Sequence, residues 1–246
     1  LLKNVLSAMN IPMYETDGWE ADDLIGTISK KDTAAGWETV IVTGDKDSLQ
    51  LVTDTTTVKL VSTRMGRTTT RDMTPEVFRE EYGFDPIHII DLKALMGDAS
   101  DNIPGVKGVG EKTAMALVGR YGSIDDLYAA MPTPEMAPGT PAKPGVIKKL
   151  QEGEEMARMS YDLATIRCNA PLEFDPEANV RRDVDNNRLY QLFLELEFSK
   201  LIDKYHLTAP QGEGAPQEDK LVEGTCTSEV VDSFARAEEL LALWRQ

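Results

Sequence analysis

Thr39-Val40-Ile41-Val42-Thr43-Gly44-Asp45-Lys46-Asp47 is the stretch on which the fold turns. Its first four residues are apolar or β-branched and do not alternate with polar ones, which predicts a strand buried on both faces. A glycine and two acids follow at the strand's carboxyl end, where open α/β sheets bind their ligands. A short helix carrying Leu49, Leu51 and Val52 is predicted next. Upstream, Asp17-Gly18-Trp19-Glu20 has the spacing of a capping box. It predicts a helix to about Lys31 with Ala21, Leu24, Ile25 and Ile28 on one face, ended by Ala35-Gly36. Ile11 to Tyr14 is a short apolar run and a candidate strand. Downstream, Val58 to Val61 reads as a further strand and Arg64-Met65-Gly66-Arg67 as a hairpin turn. The helix–strand–helix–strand order predicts an α/β domain with a mostly parallel sheet and flanking helices.

Beyond Thr70 the pattern becomes helical. Thr74-Pro75 is an N-cap followed by proline at the first helical position, predicting a helix to Tyr82. A second helix is expected over 86–96 and a third over 111–120. Five prolines within 131–145 mark an irregular connection. Helices resume over 146–165 and 186–204, and residues 208–219 have linker composition. Leu1, Leu2, Val5, Leu6 and Met9 recur at helical spacing, so the chain reads as a fragment that starts inside an amphipathic helix. Phe234, Leu240, Leu241 and Leu243 form a similar pattern at the other end.

The chain has 246 residues and 41% hydrophobic content, enough for a folded core. Its longest apolar runs are far short of the roughly 18 residues of a membrane span. Two cysteines, Cys168 and Cys226, exclude a disulfide scaffold and fit a reducing cytoplasm. Two histidines leave no material for a Cys/His zinc site. The formal net charge of −16 argues, taken whole, against a nucleic-acid binder.

Three acidic clusters stand out: Glu20, Asp22 and Asp23 at a helix start; Asp45 and Asp47 past the predicted strand; Asp98 and Asp101 before a glycine-rich turn. Each has a local alternative. Glu20 would serve as the capping-box partner of Asp17, Asp45 or Asp47 as a helix cap, and Asp98 and Asp101 as turn formers. Together, seven acids would repel one another if they converged, unless divalent cations neutralised them. Oxygen ligands without His or Cys suit Mg²⁺ or Mn²⁺. Two such ions can drive an in-line phosphodiester displacement, one activating water and the other stabilising the leaving oxygen.

The turn Ile103-Pro104-Gly105-Val106-Lys107-Gly108-Val109-Gly110-Glu111-Lys112-Thr113-Ala114 joins two predicted helices. Its glycines let backbone N–H groups approach an anion, and Lys107 and Lys112 add positive charge. It lacks the Gly-Lys-Ser/Thr ending of a P-loop, and no strand precedes it as in a dinucleotide fingerprint. The pattern is that of a helix-hairpin-helix, which holds a nucleic-acid backbone without reading bases.

Taken together, Glu20-Ala21-Asp22-Asp23, Thr43-Gly44-Asp45-Lys46-Asp47 and Met96-Gly97-Asp98-Ala99-Ser100-Asp101-Asn102-Ile103-Pro104-Gly105-Val106, running into Gly110-Glu111-Lys112-Thr113-Ala114, resemble the 5′ nuclease (5′-3′ exonuclease) domain of the bacterial DNA polymerase I family. That domain belongs to the flap endonuclease superfamily, and the resemblance covers roughly residues 1–205. It implies a PIN/flap-endonuclease-like fold and a two-metal, structure-specific nuclease that removes 5′ flaps and RNA primers in DNA replication and repair. By motif, Glu20 and Asp22 would serve the first Mg²⁺ or Mn²⁺ ion, and Asp45, Asp47 and Asp101 the second. Asp23 and Asp98 would act in the outer shell or through water. Gly105, Lys107, Gly108, Gly110, Lys112 and Thr113 would grip the DNA duplex, with K⁺ held there by carbonyls in this family. The implied division is 1–73 for part of the α/β catalytic core and 74–207 for a helical duplex-binding region. A linker follows over 208–219, and 220–246 would begin a 3′-5′ exonuclease-like domain. The family's first Asp-bearing strand, a second early Asp and the basic helical arch are absent from this chain, so its own catalysis is expected to be impaired. The expected protein is a monomer in the bacterial cytoplasm, at the nucleoid. Alternatives are a DNA-binding module without catalysis, a related PIN-type RNase, or a phosphotransferase using Asp45 as nucleophile.

Splitting the charge alters its meaning. Residues 1–130 carry 13 basic and 21 acidic residues, and without the seven clustered acids that half is near −1. Residues 102–121 are net +2, while 209–246 hold three basic and eight acidic residues. The acidity therefore does not exclude a polyanionic ligand.

Overall fold

The structure, a computed structural model, describes residues 1–131 and 141–210. Most of the proline-rich connection and everything from 211 onward, including Cys226 and the apolar pattern near the C-terminus, lie outside the described residues. The chain divides into two compact units, one formed by residues 12–181 and the other by 1–11 with the chain from 182 onward.

In the larger unit a three-stranded sheet has the order β1-β2-β3, with β1 at Thr39–Thr43, β2 at Thr56–Arg64 and β3 at Arg67–Met73. β1 and β2 are parallel, with Ile41 opposite Val58 and Thr43 opposite Leu60. β2 and β3 form the expected hairpin, antiparallel from Val58–Met73 to Arg64–Arg67, so the sheet is mixed. The predicted helix after Asp45 is a 3-10 turn over Asp47–Leu51. Two expectations change here. β1 is not buried on both faces: Ile41 is buried, whereas Val40 and Val42 are 58% and 65% exposed. The physical reason is that β1 is an edge strand and only one face of the sheet is covered by the core. Ile11 to Tyr14 forms no strand. The Ile11 N–H bonds Leu6 O, 2.9 Å, which closes the preceding helix, and Pro12 brings no N–H for a ladder.

The α2 helix, Ala21–Ala34, follows a turn at Thr16–Trp19 in which Gly18 takes φ +78°. Its N-cap is Glu20 rather than Asp17, and no side chain caps it. The capping box is therefore not formed, which leaves the Glu20 carboxylate free of that duty. Leu24 and Thr27 are buried, and Gly26 leaves room for the chain at 166–168: a Cβ there would lie 2.8 Å from Cys168 Sγ.

α3, Pro75–Tyr82, has the expected start, with Thr74 Oγ1 accepting from the Val77 N–H, and ends on left-handed Gly83. Phe78 is fully buried, stacked on Tyr82 and edge-on to Phe84. The predicted helix over 86–96 splits into a 3-10 turn at Pro86–His88 and α4 at Ile89–Met96. α5, Glu111–Tyr121, and α6, Ile124–Ala129, follow the glycine-rich turn. Buried Asp91 of α4 accepts from the Ile124 N–H at 2.8 Å and pairs with His88 Nδ1 at 2.9 Å, tying these helices together. The helical stretch over 146–165 is two helices, α7 at Pro144–Glu152 and α8 at Glu154–Ala164. They break at Gly153, where a Cβ would sit 2.8 Å from Val106. The core runs continuously from Ile41, Leu49 and Val58 through Leu95 and Val106 to Leu117 and Leu150.

In the smaller unit, α1, Leu2–Ala8, packs on α9, Asn186–Glu195, through Ala8, Leu189 and Phe193, with α10 at Ser199–Lys204. The face of α1 that packs is Val5, Ala8 and Met9; Leu1 and Leu2 are exposed. No helix among the described residues is long and apolar enough to cross a membrane.

Candidate functional site

Each acidic cluster is held by a different local device. At the start of α2, Glu20 is the N-cap and Asp22 and Asp23 occupy the first turn, where the helix dipole favours negative charge. After β1, the Asp45 N–H bonds Thr43 Oγ1 at 3.0 Å, and Asp45 Oδ1 accepts from the Asp47 N–H at 2.9 Å, so both side chains leave a tight turn. After α4, the chain doubles back through the paired bonds Asp98 N–Ile103 O, 2.9 Å, and Ile103 N–Asp98 O, 2.8 Å, with Asn102 at φ +57°.

The fold brings the three clusters together. Glu20, Asp22, Asp23, Asp45, Asp47 and Asp101 line one cleft of about 380 Å³, walled by Ile103 and the end of α8. Asp45, Asp47 and Asp101 also line an adjoining cleft of about 610 Å³, together with Asp98 and Lys93. Oxygen atoms of Asp47, Asp98 and Asp101 lie within 4.8 Å of one another. The α8 wall is fixed by buried Gln50. Its Nε2 donates to Ala164 O at 3.0 Å and its Oε1 accepts from the Ile166 N–H at 2.9 Å. Asp23 is partly engaged, accepting from the Arg167 N–H at 2.8 Å.

The electrostatics follow from this convergence. The Asp22 carboxyl is pushed up by burial and then by the charges of Asp45, Asp47, Glu20 and Asp23. Burial also pushes Asp47 up, against the lowering effect of its bond to Lys93. Asp98 is pulled down to about 2 by the Lys93 ammonium and then by Ser100. A set of carboxylates with no imidazole or thiolate is a hard oxygen environment, the donor type that suits a divalent cation of the Mg²⁺ class.

Lys93 is a site residue that no sequence motif singles out. It is 8% exposed, and its Nζ pairs with Asp47, with Asp98 at 2.8 Å and with Asp101 at 3.7 Å. Burial would lower its pKa, but the bonds to Asp47 and Asp98 outweigh that and raise it. The available signal is a lone cation in α4, a helix whose other residues are apolar apart from Asp91. Removing it would leave three acids repelling one another. Breaking a buried ion pair costs about 3–5 kcal/mol, and partial exposure here reduces that to about 2 kcal/mol. Lys93→Met should therefore melt roughly 4–8 °C lower in a chelating buffer, with Mg²⁺ recovering much of the loss. Equal melting temperatures in the chelating buffer would contradict this role.

The glycine-rich turn is continuous with the third acidic cluster. The Val106 N–H bonds Leu95 O at 2.8 Å, and the Gly105 N–H bonds Ser160 Oγ at 3.0 Å. Gly105, at φ +60°, is buried, and a Cβ there would lie 2.2 Å from Gly97 N. Its N–H is taken and faces no solvent, so it positions the turn and has no donor to offer a phosphate. Lys107, Gly108, Gly110 and Lys112 are exposed, and Thr113 is half-buried in the first turn of α5. Lys149 of α7 lies against Gly108, where a Cβ would meet its Nζ at 2.4 Å.

An acid-lined sheet edge anchored to a glycine-turned helix pair defines the PIN-like, flap-endonuclease-like α/β class. The chain belongs to the 5′-3′ exonuclease family: the N-terminal resolvase-like domain matches residues 1–83 and the C-terminal SAM-fold domain matches 84–187. DNA polymerase I of Caldicellulosiruptor bescii is 39% identical over 207 residues, which are 84% of this chain and 23% of that protein. DNA polymerase I of Bacillus subtilis is 40% identical over 203 residues, 82% of this chain and 22% of that protein. The chain thus spans less than a quarter of the relatives it matches. Among solved structures, a bacteriophage T5 flap endonuclease complex with DNA and metal ions has a TM-score of 0.53 and 26% identity. The match covers 76% of this chain and 63% of that one.

Proposed function

We propose that this chain carries the metal-binding acids and the duplex grip of a 5′-3′ exonuclease and flap endonuclease of the DNA polymerase I type. The observation that carries the reading is the convergence of six acids, from three separate segments, in one cleft at the carboxyl edge of the sheet. In this reading Glu20 and Asp22 face a first Mg²⁺ or Mn²⁺ ion, and Asp45, Asp47 and Asp101 a second, with Asp23 and Asp98 behind them. When bound, such ions activate water and stabilise the leaving oxygen of a phosphodiester. The chain's own part is to hold the carboxylates at a fixed spacing and to seat the duplex through Lys107, Gly108, Gly110, Lys112 and Thr113, with K⁺ at the turn. Residues 1–73 would then form part of the catalytic core and 74–207 the duplex-binding region, in a cytoplasmic monomer acting on 5′ flaps and RNA primers.

A second reading, a DNA-binding module with impaired catalysis, is favoured by Lys93, whose single ammonium pairs with Asp47, Asp98 and Asp101 and already offsets part of their charge. The test is to incubate the 246-residue chain with a 5′-flapped DNA duplex in Mg²⁺ or Mn²⁺, with an RNA hairpin as control, and to measure duplex binding in a chelating buffer. Metal-dependent cleavage of the flap supports the first reading. Binding that weakens steeply with salt, without cleavage, supports the second. Preferential cleavage of the RNA hairpin, or neither binding nor cleavage, overturns both.

A further inference from the structure

The β2–β3 hairpin is longer than the sheet requires. β1 ends at Thr43, opposite Leu60, and the next residue, Gly44, lies beside Val61 O. β2 continues in the same direction to Arg64, four residues past that pairing, which is roughly 13 Å of extended chain. The turn at Met65-Gly66 therefore projects beyond the carboxyl edge of the sheet, the edge from which Asp45 and Asp47 emerge.

The composition of this projection departs from the rest of the chain. Residues 55–71 hold four basic residues and no acid, in a chain of net charge −16. Two of the four are neutralised at the base: Lys59 pairs with Asp72, and Arg71 with Glu81 at 2.5 Å. The other two, Arg64 and Arg67, are exposed, have no ion-pair partner among the described residues, and sit directly opposite each other in the ladder. Like charges at opposed positions destabilise a hairpin. The turn is also poor for its type: Met65 takes φ +50°, where asparagine or glycine is favoured, and its side chain is fully exposed. Protection of an edge strand explains charge along β3, but not two facing cations at a turn. By alternation, Arg64 and Arg67 share a face with Val58 and Met73, the core side of the sheet. Exposed Ser62 and Thr70 add hydroxyls along the same projection, whereas Thr69 Oγ1 donates to Ser62 O at 3.4 Å and the Thr68 hydroxyl is bonded to that of Thr63 at 3.0 Å.

We infer that the tip of this hairpin, through Arg64 and Arg67, is a second nucleic-acid contact that binds the phosphate backbone of the strand arriving at the acidic cleft. The inference rests on the nuclease reading above and extends it to a surface that lies outside the acidic clusters and the helix-hairpin-helix. Guanidinium groups are suited to it, because their planar fork engages phosphate oxygens in pairs.

The test is the affinity of the 246-residue chain for a 5′-flapped DNA duplex, measured by fluorescence anisotropy in a chelating buffer at several salt concentrations. The double variant Arg64→Ala/Arg67→Ala should bind about tenfold more weakly at low salt, with a log–log salt slope shallower by about two. Arg64→Lys/Arg67→Lys should retain the slope, since it keeps both charges, and Lys112→Ala should weaken binding as a separate contact. A wild-type slope and affinity in the double alanine variant, with binding weakened by Lys112→Ala, would overturn this inference alone. Absence of duplex binding by the wild-type chain would overturn the nuclease reading and this inference with it.

Discussion

Under the nuclease reading proposed above, asparagine or alanine at Asp45 or Asp101 is expected to lower metal-dependent cleavage of a 5′-flapped duplex by a polymerase I-type protein carrying this chain by about three orders of magnitude, while duplex affinity without metal stays within a few-fold. The size follows from the chemistry. A bound divalent ion supplies several kcal/mol of charge stabilisation, and about 1.4 kcal/mol corresponds to a factor of ten in rate. Asparagine is the sharper probe at Asp45, because it retains an acceptor for the Asp47 N–H and removes only the charge. Burial first, and then the charges of Asp45 and its neighbours, hold the Asp22 carboxyl above its usual range, so Asp45→Asn relieves part of that repulsion. It should melt no lower than the wild type in a chelating buffer, and the loss of cleavage would then be chemical. Mn²⁺ titration should count one fewer bound ion in each variant. Wild-type cleavage rates in either would remove these two acids from the site.

Gly105→Ala is expected to destabilise the larger unit by roughly 4 kcal/mol, lowering its melting temperature by about 10 °C or more. Alanine at φ +60° is strained by about 1 kcal/mol, but the greater effect is steric. The new Cβ would lie 2.2 Å from Gly97 N and 2.6 Å from Met96 C, both backbone atoms with no freedom to rotate away. Separating the two strands of chain would break the Val106–Leu95 and Gly105–Ser160 hydrogen bonds, each worth about 1 kcal/mol. It would also loosen the Asp98–Ile103 pairing, so the acidic cluster and the helix-hairpin-helix should fail together. Gly110→Ala is the control. Gly110 has an ordinary backbone conformation, and a Cβ there would meet no neighbouring atom within 4 Å, so its melting point should shift by no more than a few degrees. Similar melting points for the two variants would refute the packing account of Gly105.

These two glycines mark where sequence reading stops. Within Gly105-Val106-Lys107-Gly108-Val109-Gly110 they belong to one motif and carry one expectation, an approach to phosphate. The fold separates them: one closes against α4 and the other opens to solvent at the head of α5. The same division runs through the acids. Their placement at element ends is legible, because helix starts, turns and the carboxyl end of a strand have local signatures. The cap of α2 falls on Glu20 instead of Asp17 because the left-handed turn at Gly18 ends the preceding loop, a choice that the four-residue spacing does not express. The exposure of Val40 and Val42 is hidden from the sequence because an unbroken apolar run looks the same whether one or both faces of a strand are covered.

The sequence by itself determined the class of elements, the identity and local setting of the seven acids, and the membership in the 5′-3′ exonuclease family that follows from its motifs. Backbone conformation depends on neighbours a few residues away, and a motif is a local object. The tertiary structure alone decided that Asp22, Asp47 and Asp101 share a cleft, that Lys93 lies among them, and that the cleft is built as one piece with the glycine-rich turn. Those facts depend on which faces of α2, α4 and α8 meet across separations of tens to more than a hundred residues, and packing between distant segments has no periodicity for a sequence to display.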